Sequence, residues 1–456
     1  MALDKTNIIK YIKLMKYILP IYCLYKYNKQ IMGMKKYIKF QYFLGIFVSL
    51  EFIAYLHYLY YKRLMSKKKY YDITFDYEFT KNNLLQMSST ELIDFIKNTI
   101  TQDKRYLKPI PIEKIPRKTM LKWIISVIYL KYIKIKELDT VKLNESHELL
   151  TKIEDKLNIQ FENKNDNKNI YVLNYGINDL VSIYKPILFY SISYIIKNMF
   201  YQILLRNNFK IHICKKSGIK TVYKLSIEKK KTVVFFHGLG YGPVPYITHI
   251  LNLSAEYNVI VPIFPNISNI EFAENWPEAN MWREWFKNMI DEIVSDRKDI
   301  NIISHSFGTF IAGTLINDEK INLMINKRIF IEPVCLYEKY YKINGYIYDP
   351  GKGSSYLMDL AMRWLIYSDI HVTHICLREL YGPNYWIYNY KTMDKDKNLF
   401  VFSRKDQIIP IEISNKIIEN NIKCLIIDDV YHGYLYFDEK YKTTLENIYD
   451  FIKKDL

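Results

Sequence analysis

The stretch Asn301-Ile-Ile-Ser-His-Ser-Phe-Gly308 decides how this chain folds. Its apolar first half predicts a buried strand, and Ser306 follows at the tip of a sharp turn. Ser304 and Gly308 are the small residues two positions before and after that serine, which such a turn needs. A glycine is usual at the first of these positions, and Ser304 replaces it with another small side chain. The pattern therefore predicts an exposed nucleophilic serine between a strand and a helix.

A glycine-rich loop follows an earlier apolar strand. The predicted strand is Thr232-Val-Val-Phe-Phe236, and the loop His237-Gly-Leu-Gly-Tyr-Gly242 holds three of the chain's 14 glycines. Glycine permits tight turns and the close approach of a ligand to the backbone. We therefore predict that the backbone N–H groups of Leu239 and Phe307 form an oxyanion hole, which stabilises a developing negative oxygen. The residues that we expect to support the loop are His237, Gly238 and Gly240.

An acid and a histidine follow two later predicted strands. Asn398-Leu-Phe-Val-Phe-Ser403 precedes a loop with Asp406, and Ile422-Lys-Cys-Leu-Ile-Ile427 precedes a loop with His432. The chain order is thus serine, acid, histidine, with each residue placed just after a strand. A serine hydroxyl needs a histidine to take its proton and a carboxylate to orient that histidine. The sequence therefore predicts Ser306 as nucleophile, Asp406 as acid and His432 as base.

On these motifs, residues 209–456 resemble the α/β-hydrolase superfamily. The resemblance implies an α/β fold with a mostly parallel, doubly wound sheet, and it places the catalytic triad on the three residues above. More of the chain is similar to a group of membrane-anchored α/β-hydrolases of fungi and other eukaryotes. That similarity rests on Ser49-Leu-Glu-Phe52, Phe236-His-Gly-Leu-Gly-Tyr-Gly-Pro-Val-Pro-Tyr246 and Leu380-Tyr-Gly-Pro-Asn-Tyr-Trp-Ile-Tyr-Asn389. No substrate follows from it, because this fold supports many reactions.

Other residues compete for the base and acid roles. His305 is a rival base, but neighbouring residues in a sharp turn point away from each other. The rival acids are Glu332, which ends the predicted strand Arg328-Ile-Phe-Ile-Glu-Pro333, and Asp428 and Asp429. Some hydrolases place the acid at the position of Glu332. Asp406 is preferred because its loop most resembles the usual acid loop.

Composition limits the partners that we expect. The chain has 456 residues and a formal net charge of +17, so it has room for one large hydrolase domain and a further region. The lysines are dispersed and no nucleic-acid recognition motif is evident, which favours an anionic membrane over nucleic acid. The five cysteines lack disulfide or metal spacing, which is typical of a reducing compartment. We expect no metal and no cofactor.

Residues 1–70 form a basic N-terminal region with an apolar segment at 42–61. This segment is about long enough to span a bilayer, with tyrosines and lysines at its ends. Glu51 lies within it, and an acid at the bilayer centre costs about 2.5–3.5 kcal/mol. The segment is therefore a candidate transmembrane helix, with a helix lying on the membrane surface as the alternative. Its orientation stays open because both flanks are basic.

Two further regions follow. We predict a helical region at residues 71–208, which is polar up to residue 182. Its apolar segment, 184–205, either lies at a membrane interface or packs on the hydrolase core. Residues 209–456 predict the hydrolase domain, which opens with a β-hairpin. Within it, the aromatic-rich insertion at about 335–397 is too long for a structureless loop and predicts a cap over the active site.

Together these features predict a membrane-associated serine hydrolase that cleaves an ester, with a lipid-like substrate favoured, through an acyl-enzyme. An acyltransferase would use the same triad, and a catalytically silent scaffold for binding would keep the same fold. The sequence leaves open the acyl length, the compartment of the active domain and the oligomeric state.

Overall fold

The computed structural model divides into two units, Met1–Tyr61 and Lys62–Leu456. It describes residues 34–67, 77–102, 108, 110–129, 138–163, 169–173, 180, 182–226, 228, 231–269, 271, 276–294, 299–336, 363–380, 384–387, 393–436 and 438–453. The first half of the predicted basic region and residues 337–362 of the predicted cap lie outside these ranges. The predicted domain boundaries at residues 70 and 208 stay predictions.

The predicted apolar segment 42–61 lies within one continuous helix, α1, Met34–Met65. Within its stretch Gln41–Met65, the most apolar 18-residue segment has a mean hydropathy of 1.5, and none of that segment is buried. Apolar side chains on all sides are exposed, among them Tyr42, Ile46 and Ile53. By length and composition the helix can cross a membrane, because about 20 mostly apolar residues in a helix are enough to span a bilayer.

A small helical subregion opens the second unit. Its elements are α2 Tyr77–Gln86, α3 Ser89–Thr99, α4 Arg117–Tyr129, α5 Thr140–Leu157 and an antiparallel pair of strands, β1 Ile100–Thr101 and β2 Tyr171–Val172. The helices enclose their own apolar core around the fully buried Trp123, whose Nε1 donates to Thr99 Oγ1 at 2.7 Å. The sequence pattern predicted the helices but described this region as polar, because few apolar residues recur between its lysines and asparagines.

An eight-stranded sheet forms the centre of the second unit, in the order β10-β9-β8-β7-β5-β6-β4-β3. The strands are β3 Lys210–Ile213, β4 Lys220–Lys224, β5 Thr232–Phe236, β6 Asn258–Pro262, β7 Ile300–His305, β8 Ile325–Ile331, β9 Asn398–Ser403 and β10 Lys423–Ile427. The β3–β4 pair is the predicted hairpin, and β4 also runs antiparallel to β6, whereas the other pairs are parallel. The predicted mostly parallel sheet is therefore confirmed.

Helices cover both faces of this sheet. The remaining helices of this unit are α6 Ile187–Arg206, α7 Ile247–Glu256, α8 Ala279–Glu292, α9 Gly308–Ile316, α10 Glu319–Met324, α11 Ile370–His374, α12 Glu412–Glu419 and α13 Lys442–Lys453. Alternate residues of β5 point to opposite faces: Val233 and Phe235 pack into the core beneath α7 and α13, and Val234 and Phe236 into the core beneath α8 and α9. The doubly wound arrangement is thus as predicted.

The second apolar segment, 184–205, contains α6. One side of α6 packs on the unit through Phe189, Phe200 and Leu204, as one of the two interpretations of this segment predicted. Another side leaves a stripe of apolar residues exposed, namely Leu188, Ile192, Ile195 and Met199. Packing on the protein therefore explains only part of the apolar character of this segment.

Candidate active site

Ser306 forms the turn between β7 and α9. Its φ is 48°, in the left-handed region that residues other than glycine rarely adopt. Its backbone N–H donates to the carbonyl of Ile331 at 3.0 Å. A Cβ on Gly308 would lie 2.4 Å from the carbonyl oxygen of Phe236, so only glycine fits where the helix starts against β5. These contacts fix the predicted strand–turn–helix at the serine.

Ser304 stands where a glycine is usual in this turn. Its side chain is fully buried, and its hydroxyl donates to the carbonyl of Ile329 on the neighbouring strand β8 at 3.1 Å. A buried hydroxyl costs stability only when it lacks a partner. The serine is therefore accommodated because the adjacent strand supplies an acceptor.

The three residues predicted as a triad lie in one hydrogen-bonded row. Ser306 Oγ is 2.7 Å from His432 Nε2, and His432 Nδ1 is 2.7 Å from Asp406 Oδ2. The other carboxylate oxygen of Asp406 accepts from the backbone N–H groups of Ile408 and Ile409 at 2.7 and 2.8 Å. These two bonds hold the carboxylate in the orientation that faces the imidazole. The arrangement allows His432 to take a proton from Ser306 while Asp406 fixes its tautomer.

The backbone N–H groups of the glycine-rich loop differ in whether they have an acceptor. Gly238 N–H donates to Tyr246 Oη at 3.1 Å, and Gly240 N–H donates to the carbonyl of Ile267 at 3.0 Å. Within the described part of the chain, the N–H groups of Leu239 and Phe307 donate to no protein acceptor. Two donors left without a protein partner match what an oxyanion hole requires. Their role as oxyanion donors stays a prediction.

His237 holds the shape of this loop. It is fully buried, its Nδ1 lies 2.8 Å from the carbonyl of Gly238, and its Nε2 accepts from the backbone N–H of Phe264 at 3.1 Å. Nδ1 therefore carries the proton and donates to Gly238. Burial lowers the pKa of His237 to about 3, so this histidine stays neutral. The supporting role of His237 in catalysis stays a prediction.

Two of the rival acids face away from the histidine. Asp428 forms an ion pair with Arg404, and Asp429 forms one with Lys405 at 2.7 Å. Their side chains are 71% and 78% exposed. Neither can orient His432, so the choice among acids narrows to Asp406 and Glu332.

Glu332 is the second carboxylate beside His432. It lies directly after β8, is fully buried, and places Oε2 3.6 Å from His432 Nδ1. That distance is beyond a hydrogen bond, whereas Asp406 is within one. Glu332 instead bonds to His305 Nε2 at 2.8 Å. The sequence identified Glu332 and His305 as rivals for the acid and base, but it gave no sign that they would pair with each other.

The buried charges raise the pKa of the candidate base. Burial alone would lower the pKa of His432, but the carboxylates of Asp406 and Glu332 outweigh it and raise the pKa to about 9. Burial would raise the pKa of Glu332, but His432 and the hydrogen bonds from His305 and Ser403 lower it to about 2. Burial raises the pKa of Asp406, and the charge of Glu332 acts in the same direction.

Three of these side chains are also of types that bind metals. Among the described residues, His305, Glu332 and His432 offer ligand atoms that all lie within 4.8 Å of one another. Those atoms already contact protein partners: His305 Nε2 bonds to Glu332, Glu332 accepts from Gly433 N–H, and His432 Nδ1 bonds to Asp406. Hydrogen bonding therefore accounts for the cluster without an ion.

The described part of the predicted cap includes three short helical segments, Arg363–Tyr367, α11 and Ile375–Glu379. A Cβ on Gly240 would lie 2.9 Å from Ile366 Cδ1, so this segment lies against the glycine-rich loop. Two aromatic residues of the predicted cap, Tyr385 and Trp386, are buried in the core beneath α9. For these two, ordinary packing explains the aromatic side chain.

No protein-family model and no curated protein sequence matches this chain. Among solved structures, MGS-M2, an α/β-hydrolase enzyme from a Medee basin deep-sea metagenome library, is 15% identical, with a TM-score of 0.43 over 54% of this chain and 98% of its own. Carboxylesterase CesB from Bacillus subtilis is 11% identical, with a TM-score of 0.44 over 59% of this chain and 100% of its own. An esterase from Pyrococcus furiosus is 18% identical, with a TM-score of 0.39 over 54% of this chain and 91% of its own. The strand order and the turn at Ser306 give this chain the α/β-hydrolase fold.

Proposed function

We propose that this protein is a serine hydrolase that cleaves carboxylic esters with Ser306 as its nucleophile. The observation that carries the proposal is the row from Ser306 Oγ through His432 to Asp406, with two successive distances of 2.7 Å. Nucleophile, base and orienting acid within hydrogen-bond reach are what acyl transfer through a serine requires. The N–H groups of Leu239 and Phe307, which have no acceptor among the described residues, supply the oxyanion hole that this reaction also needs.

The proposed reaction has two halves. Ser306 Oγ attacks the ester carbonyl carbon while His432 Nε2 takes its proton, and the carbonyl oxygen becomes an anion that the two N–H groups stabilise. The carbonyl re-forms, the alkoxide leaves with the proton from His432, and the acyl group stays on Ser306. Water then attacks the acyl-enzyme with His432 again as base. The acid is released, and Ser306 regains its proton.

An ester panel tests this proposal. The full-length protein is expected to release acid and alcohol in equal amounts from p-nitrophenyl esters of increasing acyl length, with higher kcat/KM for longer chains if the substrate is lipid-like. Esters are measured with and without a glycerol or alcohol acceptor. Transfer of the acyl group to the acceptor in place of acid release would indicate an acyltransferase. Absence of Ser306-dependent turnover across ester, thioester and amide panels would leave the silent scaffold and overturn the proposal.

We further propose that the protein is membrane-associated and that its ester is lipid-like. The exposed apolar surface of Gln41–Met65 and the exposed stripe on α6 support this, because large apolar surfaces rarely face water without a partner. Within the second unit, Lys62 Nζ donates to the carbonyl of Ser182 at 3.1 Å, shortly before α6 begins. A net charge of +17 favours an anionic lipid surface.

Carbonate extraction tests the membrane assignment. We expect the full-length protein to stay in the membrane pellet at alkaline pH, as a spanning helix does. The double variant Phe47→Lys/Leu50→Lys is expected to move to the soluble fraction, because each central lysine costs about 2.5–3.5 kcal/mol on insertion. Leu323→Lys is the matched control, since this leucine is 87% exposed on the second unit and should not change the partition. Release of the unaltered protein by carbonate would contradict a span and leave a surface helix.

A further inference from the structure

Glu332 is the centre of a buried hydrogen-bond network. Its φ is 49°, and its side chain is fully buried. Oε2 bonds to His305 Nε2 at 2.8 Å and accepts from the backbone N–H of Gly433 at 2.6 Å, while Oε1 accepts from Ser403 Oγ at 2.5 Å. These three partners come from the end of β7, the end of β9 and the loop of the candidate base. One carboxylate thus joins three of the chain segments that form the site.

The network continues to the glycine-rich loop. His305 Nδ1 lies 2.7 Å from Tyr246 Oη, which in turn accepts from Gly238 N–H. With Glu332 ionised, His305 donates from Nε2, so its Nδ1 accepts the hydroxyl proton of Tyr246. The bonds then run in one direction, from Gly238 through Tyr246 and His305 to Glu332. The segment that carries the Leu239 N–H is therefore connected to the loop that carries His432.

In the described part of the chain, neither a lysine nor an arginine forms an ion pair with Glu332. Among the described residues, its ion-pair partners are His305 and His432. His305 is buried, and burial lowers its pKa although Glu332 opposes this effect, so His305 is expected to be neutral at rest. A buried carboxylate favours a positive charge near it. His432 carries that positive charge in its protonated form, which is present below its raised pKa and forms again when unprotonated His432 takes the proton of Ser306.

We propose that Glu332 is a positioning residue with two effects: its bonds keep the base loop, the nucleophile turn and the glycine-rich loop in register, and its charge stabilises the protonated form of His432. The proposal rests on the proposed function, because it assigns Glu332 a task only if Ser306 and His432 react. It differs from the role of Asp406, which orients the imidazole through a direct bond. Glu332 acts on the imidazole from 3.6 Å and without a bond to it.

The pH dependence of the reaction follows from the groups that face His432. These are Asp406 after β9, Glu332 after β8 and His305 at the end of β7, whose ring centre lies 5.8 Å from that of His432. Tyr246 and Tyr436 face His305 on its other sides, and burial raises the pKa of both, so both stay neutral. His432 is active as a base only when it is unprotonated. A carboxylate that stabilises the protonated form therefore moves the onset of activity to higher pH.

The variant Glu332→Gln separates the charge from the bonds. A glutamine oxygen can still accept from His305 and Gly433, and its amide N–H can donate to Ser403 Oγ, because a hydroxyl is also an acceptor. The rate at which a fluorophosphonate labels Ser306 is measured from pH 5 to about 10, a range that covers the shifted histidine. We expect the pH at which labelling begins, the labelling onset, to lie clearly above the ordinary histidine pKa of 6.5 in the unaltered protein. In Glu332→Gln it should move down by about one pH unit or more.

Two further variants keep the charge and test the bonds. Tyr246→Phe removes the hydrogen bond to Gly238, so we expect kcat for an ester to fall about 10- to 100-fold while KM stays unchanged. The pH at which labelling begins should also stay unchanged. Glu332→Asp should keep a labelling onset close to that of the unaltered protein, because it keeps the charge. If Glu332→Gln does not fold, the onset in the unaltered protein, compared with the ordinary histidine pKa of 6.5, tests the charge effect.

The outcomes separate this inference from the proposed function. If Ser306 is not labelled at any pH in folded protein, the proposed function fails. If labelling occurs with an onset near pH 6.5 in the unaltered protein, or with equal onsets in the unaltered protein and Glu332→Gln, the charge effect assigned to Glu332 is overturned. If Tyr246→Phe keeps full kcat, the positioning effect is overturned.

Discussion

Replacing Ser306 with alanine is expected to lower kcat for ester hydrolysis by about 10⁶-fold. Alanine lacks the hydroxyl that lies 2.7 Å from His432 Nε2, so no acyl-enzyme can form. What remains is the activity that the oxyanion donors give to a direct attack by water. KM should change little, since the hydroxyl contributes mainly to the transition state. Steady-state rates with a chromogenic ester measure both constants.

Ser304→Ala is the matched control for this variant. Ser304 lies two residues earlier in the same turn, but its hydroxyl donates to the carbonyl of Ile329 inside the sheet. Its loss should cost about 1 kcal/mol of stability and leave kcat within a few-fold of the unaltered protein. If Ser306→Ala keeps more than about one-thousandth of the activity, or if both serine variants lose activity equally, Ser306 is not the nucleophile.

Replacing Asp406 with asparagine is expected to lower kcat by about 10⁴-fold. The carboxylate oxygen that accepts from His432 Nδ1 at 2.7 Å becomes either an amide oxygen without charge or an N–H group. In the second case the imidazole adopts the tautomer that places its proton on Nε2, and it can no longer accept from Ser306. Glu332 cannot replace Asp406, because its oxygens already bond to His305, Gly433 and Ser403.

Asp429→Asn controls for the loss of one negative charge near the same histidine. Asp429 pairs with Lys405 on the surface, so this change should leave kcat within about twofold, since exposed ion pairs have small effects. Circular dichroism checks that both variants fold. A loss of less than about tenfold in Asp406→Asn would contradict the role of Asp406, and would indicate that Glu332 orients the base.

The strands and the turns after them could be predicted because they depend on local pattern. Thr232–Phe236 and Asn398–Ser403 are short apolar runs bounded by polar turn residues, and both form strands with those bounds. The spacing of small residues around Ser306 is likewise a local requirement. For parallel strands, local position is enough to bring Ser306, Asp406 and His432 to one edge of the sheet.

The network of Glu332 could not be predicted, because it depends on contacts between residues far apart in the chain. Glu332 and Ser403 meet only because β8 and β9 are neighbours, and no spacing rule relates them. Tyr246 lies four residues after the glycine-rich loop, and its bond to His305 depends on how this segment folds over the turn at Ser306. For the same reason, the sequence could not show why a buried serine is accommodated at position 304. Its hydroxyl donates to the carbonyl of Ile329, which lies on the neighbouring strand β8.

Labelling with a fluorophosphonate, followed by peptide mass spectrometry, tests the central claim most directly. This reagent forms a stable adduct only with a serine that a neighbouring base activates. We expect one adduct per chain, located on Ser306, and its formation should be lost in Ser306→Ala and much slower in Asp406→Asn. An adduct on another residue, or none in folded protein at a pH where His432 is unprotonated, would contradict the assignment of Ser306, His432 and Asp406 as a catalytic triad.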